Sequence, residues 1–204
     1  HLRNRRQRQM CIRDSCHSAT PSSFAPWSLT CATNQGDLTI SSNTTLTPFG
    51  SDPSQNCWQD VTVNPNKTLT LDSTTYEYHF RNLELKGNAK LAFPTVPSGQ
   101  KITIYVEEFV GGSLNGNALV NTNNAPHTLQ INYTGTDDFK FNGTAEINTF
   151  FDAPFSDVEI SGDFNFYGSI KAKTLDIRGN ARFNYDEYNE ITPPTLSDLS
   201  LIHI

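Results

Sequence analysis

Short apolar–polar alternations, each closed by a Gly, Asn or Pro turn, recur along the chain. The pattern reads apolar-x-apolar-x-Gly-Asn-x-x-apolar. Its clear copies are LELKGNAKL (Leu83–Leu91) and LDIRGNARF (Leu175–Phe183). Close variants are SLNGNALV (Ser113–Val120), FKFNGTAEI (Phe139–Ile147) and VEISGDFNF (Val158–Phe166). LTISSNTTL (Leu38–Leu46) and VTVNPNKTL (Val61–Leu69) are degenerate copies. The turn positions Ser42, Pro65, Gly87, Gly116, Gly143, Gly162 and Gly179 are 23, 22, 29, 27, 19 and 17 residues apart. A period of about 20 to 30 residues is the mark of stacked repeats.

Pairs such as Leu83 and Leu85, or Val158 and Ile160, give a strand one apolar face. The Gly-Asn steps at Gly87-Asn88, Gly116-Asn117 and Gly179-Asn180, with Gly143 and Gly162, are structural turns. Gly reaches positive φ without a Cβ clash, and Asn tolerates the left-handed region better than most residues. The apolar residue after the turn, Leu91 or Phe183, returns to the same interior. One unit cannot bury its apolar face alone; stacked units can, and their backbones bond to one another.

Further strands are predicted in KITIYVEEF (Lys101–Phe109), HTLQINYTG (His127–Gly135) and GSIKAK (Gly168–Lys173), the first being richest in β-branched and aromatic residues. No stretch keeps helical apolar spacing. The expected fold is all-β: a single-stranded parallel β-helix, or β-solenoid, with irregular N-terminal coils. An antiparallel sandwich also has many short strands, but has no reason to reuse one turn at each corner.

Charge changes the picture at the ends. Of 15 basic and 21 acidic residues, five Arg and one acid lie in residues 1–15, and Asp198 is the one acid in residues 198–204. RRQRQMCIRDS (Arg5–Ser15) and LSLIHI (Leu199–Ile204) resemble translated sequencing-adapter read-through, and are set aside. The expected organisation is an artefactual segment 1–15, an irregular region 16–60, the solenoid domain 61–190 and a tail 191–204. The remaining body is acidic, which argues against a nucleic-acid partner, since phosphate contacts need clustered Lys and Arg. Membrane contact is expected only through an N-terminal anchor that this sequence lacks.

The run from Tyr76 to Tyr188 resembles the C-terminal β-solenoid domain of bacterial PilX-like, type IV pilus-associated surface proteins. The resemblance is carried by YHFRNLELKGNAKL, KITIYVEE, LNGNALVN and INTFFDAPFSDVEISGDFNFYGSIKAKTLDIRGNARFNYDE. The last run holds an Ala153-Pro154 turn, a Phe166-Tyr167-Gly168 step and a closing Tyr185-Asp186-Glu187. The resemblance implies a parallel β-helix on a cell envelope or pilus, with other pilus or envelope proteins as partners.

Three cysteines lie outside the set-aside end: Cys16, Cys31 and Cys57. A Cys31–Cys57 disulfide is the favoured arrangement, tying an N-terminal loop across the degenerate coils. Three free thiols are the alternative. Neither C-x-x-C nor H-x-x-x-H spacing occurs, so no metal site and no cofactor are expected.

His17, His79 and His127 are isolated, and no nucleophile motif or phosphate loop accompanies them. The acids Asp137, Asp138, Asp152, Asp157, Asp163, Asp186 and Glu187 invite a second reading, because glycoside hydrolysis needs two carboxylates about 5–10 Å apart. Asp152, Asp157 and Asp163 on one side of the molecule would favour it. The leading expectation is a non-catalytic structural or interaction module, extracytoplasmic, with Tyr185 and Tyr188 available for contacts. The alternatives are a polysaccharide-binding or polysaccharide-cleaving β-helix and a self-polymerising scaffold.

Overall fold

The structure, a computed structural model, describes residues 31, 33–50, 52–73, 76–115 and 117–185. The expected segments 1–15 and 191–204, and with them Cys16, His17, Asp186, Glu187 and Tyr188, lie outside the described residues, as does Gly116. The strands are β1 (Leu38–Ile40), β2 (Thr44–Leu46), β3 (Cys57–Val63), β4 (Thr68–Leu71), β5 (Glu77–Leu85), β6 (Lys90–Phe93) and β7 (Ile102–Phe109). They continue with β8 (Ser113–Asn115), β9 (Leu119–Asn121), β10 (Leu129–Tyr133), β11 (Phe139–Asn142), β12 (Thr144–Ile160), β13 (Asp163–Ile177) and β14 (Arg182–Tyr185). Two 3-10 turns, Pro53–Gln55 and Pro126–Thr128, complete the elements, and no α-helix occurs among the described residues.

The fold is all-β, and its strand pairs are parallel. The order β1-β3-β5-β7-β10-β12 forms the spine of a ten-stranded sheet, in which β12 also pairs with β11 and β13. β2-β4-β6-β9 form a second sheet. The repeated turn therefore does not reverse the chain into a hairpin. It carries β3 of one sheet into β4 of the other, and β5 into β6. An antiparallel hairpin would have paired the strands on either side of each turn; here each strand pairs instead with one in the following repeat.

The register reproduces the spacing of the turns. Leu38 faces Val61, and Val61 faces Leu83, at offsets of 23 and 22 residues. Leu114 faces Phe141, Phe141 faces Ile160 and Ile160 faces Ile177, at 27, 19 and 17. Like therefore stacks on like, and the inward positions make apolar columns. Val61, Leu83, Ile104, Ile131, Phe151 and Phe166 are all buried. The later layers are aromatic: Phe141 has its ring centroid 4.9 Å from Phe139, 5.0 Å from Phe151 and 5.6 Å from Phe166.

The turn chemistry divides more sharply than expected. Gly87, Gly143, Gly162 and Gly179 take positive φ, whereas Asn88, Asn117 and Asn180 do not. In the copy where Pro65 replaces the glycine, φ at that position is locked negative, and the left-handed residue becomes Asn66, at φ 60°. Both versions close the same way: the Ala89 N–H donates to the Lys86 carbonyl at 3.0 Å, and the Lys67 N–H to the Asn64 carbonyl at 3.1 Å. A positive φ at the second or at the third turn residue separates the two mirror-related turn classes. The asparagines serve another purpose, bridging successive turns. Asn88 Nδ2 donates to Asn66 Oδ1 at 3.2 Å, and Asn180 Nδ2 to Asp163 Oδ1 at 2.8 Å. Ala153-Pro154, expected as a turn, lies inside β12 at a register irregularity between Ala153 and Asp157. Pro lacks the N–H a ladder needs, so pairing with β13 skips a step there.

Candidate functional site

Parallel register decides what stands on the outer surface of the ten-stranded sheet. Along the strands, side chains alternate between the apolar core and the sheet's other face, where Cys57, His79, Gln130, Asn132, Phe150 and Asp152 are themselves largely covered. Tyr78, Phe80, Ile104, Val106, Ile131 and Tyr133 point inward and are buried. Their alternating neighbours form an outward column: Cys57 faces His79, then Tyr105, Asn132, Asp152 and Lys171 follow in register. These residues lie between 19 and 27 positions apart in the chain. A parallel column, Glu77, Thr103, Gln130, Phe150 and Ser169, runs beside them.

Two polar groups occupy this surface. In the first, Glu77 Oε1 lies 3.3 Å from His79 Nε2, and the Glu77 carboxylate accepts a hydrogen bond from the Tyr105 hydroxyl. The rings of His79 and Tyr105 stack 4.3 Å apart, tilted by 9°. Burial pushes the His79 pKa down, against the pull of the Glu77 carboxylate. The Tyr105 hydroxyl is pushed up, first by burial and then by Glu77. In the second group, Gln130 Nε2 donates to Asn132 Oδ1 at 3.1 Å and Gln130 also bonds Asp152. Lys171 Nζ lies 3.8 Å from Asp152 Oδ2. Burial raises the Asp152 pKa, opposed by Lys171 and Lys101.

His79 and Tyr105 of the first group line a groove of about 370 Å³ whose walls include Cys31, Asn34, Arg81, Glu107 and Thr134. Cys31 and Cys57 are disulfide-bonded there, with Cα atoms 6.0 Å apart. The bond holds the Asn34 segment, which bridges to Cys57 in parallel, against the start of β3. Arg81 Nε and Glu107 Oε2, 3.8 Å apart, form an exposed charged rim. The groove thus offers amide, hydroxyl and both signs of charge around a stacked aromatic floor. It suits hydrogen bonding to a polar ligand. The cysteine facing His79 is bonded to Cys31, so the His79–Glu77 pair has no thiol beside it to activate.

Residues singled out in the sequence are distributed as follows. Gly87, Asn88, Asn117 and Gly143 meet along one shallow cleft on the turn side of the molecule. Gly162 packs on Gly143, and Gly179 on Gly162. His127 lies in the Pro126–Thr128 turn, away from His79 in sequence and in element. Asp152, Asp157 and Asp163 are not brought together. Asp152 sits in the stretch of β12 paired with β10, and Asp157 in the stretch beyond the irregularity that runs beside β11. Asp163 opens β13 opposite Thr144. Asp157 accepts from Thr174 Oγ1 at 2.8 Å, which lowers its pKa, and Asp163 accepts from Asn180. The carboxylate grouping expected of a polysaccharide-cleaving site is therefore not assembled by these three. Among the described residues no group of three or more His, Cys, Asp or Glu is placed to hold a metal ion. No helix among them is long and apolar enough to cross a membrane.

Sequence reasoning missed the outer columns. Asn132, Gln130, Glu77 and Tyr105 carry no motif. For Tyr105, Gln130 and Asn132 the signal was polar residues alternating with apolar ones in KITIYVEEF and HTLQINYTG, with no local cue to which would align.

Residues 54–190, about two thirds of the chain, match the family model of a domain of unknown function, DUF7305. The chain belongs to the DUF7305 family. That membership covers β3 to β14 and therefore both polar groups of the outer surface. It identifies an uncharacterised domain and carries no pilus association. No curated protein and no solved structure matches the chain.

Proposed function

We propose that this DUF7305 chain is a single-stranded parallel β-helix that acts as a non-catalytic structural or interaction module outside the cytoplasm, on a bacterial cell surface or pilus. The observation that carries the proposal is the equality of turn spacing and strand register, 23 and 22 residues at one end and 19 and 17 at the other. A chain that advances one strand per repeat, always in parallel, winds rather than folds back. A winding fold has a stiff core and long ordered faces, the properties of a presenting scaffold. The Cys31–Cys57 bond supports an oxidising compartment. The partners proposed are other envelope or pilus proteins, with the groove beside His79 and Tyr105 as the contact surface.

The test is export. The gene with its native upstream sequence is expressed in a bacterial host, and intact cells are treated with protease and a membrane-impermeant thiol label. The proposal expects protease sensitivity on intact cells or in the periplasm, and no labelling of Cys31 or Cys57 without reductant. Protein confined to the cytoplasm, with both thiols reduced and the fold intact, would overturn it. A polysaccharide-binding reading is favoured by the aromatic and polar lining of the same groove; binding to a glycan array that is lost in Tyr105→Ala would support it.

A further inference from the structure

In the oxidised chain the sulfur opposite His79 is bonded to Cys31. The two sulfurs of that bond stand in different surroundings. Cys31 is exposed, whereas Cys57 is 3% exposed. Cys57 on β3 lies directly opposite His79 on β5, and both side chains stand on the same face of the sheet. Adjacent strands lie about 4.8 Å apart, so Cys57 and the His79 ring are neighbours. Behind His79 are Glu77 Oε1, 3.3 Å from Nε2, and the Tyr105 ring, stacked at 4.3 Å. Cys31, Cys57, His79 and Tyr105 line one groove, through which the bond is reached from solvent.

The chain beyond Cys31 has anchors other than the sulfur bridge. Asn34 bridges to Cys57 in parallel, the Gln35 N–H donates to the Cys57 carbonyl at 2.8 Å, and the Gln59 N–H donates to the Gly36 carbonyl at 2.9 Å. The Gln35 side chain donates to the Gln55 carbonyl at 3.0 Å. None of these bonds involves sulfur. Reduction therefore leaves both thiols beside the start of β3, and the bond can re-form. The other charged or titratable groups at this groove, among the described residues, are Glu77 and Arg81 on β5 and Tyr105 and Glu107 on β7. Arg81 and Glu107 pair with each other at the rim, so Glu77 and Tyr105 are the groups that act on His79.

We propose that Cys31–Cys57 is a thiol-exchange site that oxidises dithiols, with Cys31 as the sulfur attacked and Cys57 as the leaving thiolate held beside His79. A thiol of the dithiol attacks the exposed Cys31 Sγ, and a new sulfur–sulfur bond forms there. The Cys31–Cys57 bond breaks, and its electron pair goes to Cys57 Sγ. The proton lost by the attacking thiol is taken up by His79, which gives a thiolate–imidazolium pair backed by Glu77. The second thiol of the dithiol then attacks its partner's sulfur in the mixed disulfide. The dithiol leaves as a disulfide, and Cys31 leaves with the second proton. Two electrons and two protons have moved from the dithiol to this chain. A thiol leaves faster the lower its pKa, and a neighbouring imidazolium lowers it. The asymmetry of the bond thus sets the direction of attack: the reachable sulfur is Cys31, and the stabilised one is Cys57. Only the disulfide and the pairing of β3 with β5 are required, whatever compartment the chain occupies.

The test uses the full chain carrying Cys11→Ser/Cys16→Ser, so that Cys31 and Cys57 are its two cysteines. Glutathione is the monothiol probe and dithiothreitol the dithiol. After brief exposure to glutathione and an acid quench, peptide mass spectrometry should find the mixed disulfide on Cys31 at least about tenfold over Cys57. Dithiothreitol should reduce the native chain about tenfold faster than its His79→Gln variant. In the reduced chain, alkylation of Cys57 by iodoacetamide should rise with pH at a midpoint about a unit or more below the ordinary cysteine value of about 8.5, and His79→Gln should return it there. Wild type alone supplies a further readout in case His79→Gln does not fold. The pKa of the His79 ring, followed by NMR, should rise by about a unit or more on reduction, because a thiolate replaces a neutral sulfur beside it. A mixed disulfide on Cys57, a Cys57 midpoint at or above about 8.5, or a His79 pKa unchanged by reduction would each overturn the proposal. So would reduction that proceeds only through global unfolding, at rates that climb with urea as unfolding does; the bond would then be a staple alone.

Discussion

Replacing Gly168 by alanine tests how closely the layers approach. Gly168 lies in β13 opposite Thr149, at φ 133°, a conformation L-residues rarely adopt. A Cβ added there falls on the carbonyl oxygen of Thr149 and comes within 3.1 Å of Pro126 Cβ. The obstacle is backbone held in the ladder, and the Thr149 hydroxyl is itself bonded to the Leu129 carbonyl at 3.1 Å. Gly99 is the matched control: φ 81°, in the turn closed by the Gln100 N–H and the Pro97 carbonyl, with nothing within 4 Å of an added Cβ. Both substitutions carry about 1–2 kcal/mol for an L-residue at positive φ. Gly168→Ala adds overpacking of about 1–3 kcal/mol. Urea unfolding at 25 °C, with m near 2 kcal/mol/M, should therefore place the Gly168→Ala midpoint about 0.5–1.5 M below that of Gly99→Ala. Coincident midpoints would refute the close approach of β13 to β12, and with it the register through Thr149.

Removing the disulfide by Cys31→Ser/Cys57→Ser should cost about 3 kcal/mol, from a separation of 26 residues; chemical denaturation with and without reductant measures it, and wild type under reductant should match the variant. Asp152 has a folded pKa raised above its unfolded value, so the folded state holds more protons in that window. Its ionisation therefore removes stability as pH rises from the ordinary carboxylate range through the raised value, and Asp152→Asn should flatten that fall in a series of urea midpoints against pH. His79 has the opposite sign: its folded pKa is lowered, so stability is complete above about 6.5 and is lost as pH falls through the lowered value. An NMR titration of the His79 ring giving a pKa above the ordinary histidine value would contradict the burial argument.

Much of the fold was legible locally. KITIYVEEF forms β7, HTLQINYTG contains β10, and GSIKAK lies in β13. Alternation of apolar and polar residues marks these segments without help from neighbours, most plainly in KITIYVEEF with its Ile102, Thr103, Ile104 and Val106. The turn copies were legible because Gly and Pro constrain φ by their own covalent structure. The exchange between Gly87 and Asn66 was not foreseen, although Pro65 forces it. The candidate site was hardly legible. His79 was visible as an isolated histidine, but its partners were not: Glu77 is two residues away on the same strand face, and Tyr105 lies on the next strand of the sheet.

The sequence by itself determined the repeating unit, the spacing of its turns and which residue of each unit faces inward. These follow from the backbone preferences of single residues and from a period of two, which needs no knowledge of the rest of the chain. Tertiary structure alone decided the outer surface. The loops between repeats differ in length, so no constant offset connects Cys57, His79, Tyr105, Asn132, Asp152 and Lys171. Their alignment follows from burying the apolar side chains on the opposite face of the same strands. The core fixes the register, and the register lines up the polar column on the sheet's other face.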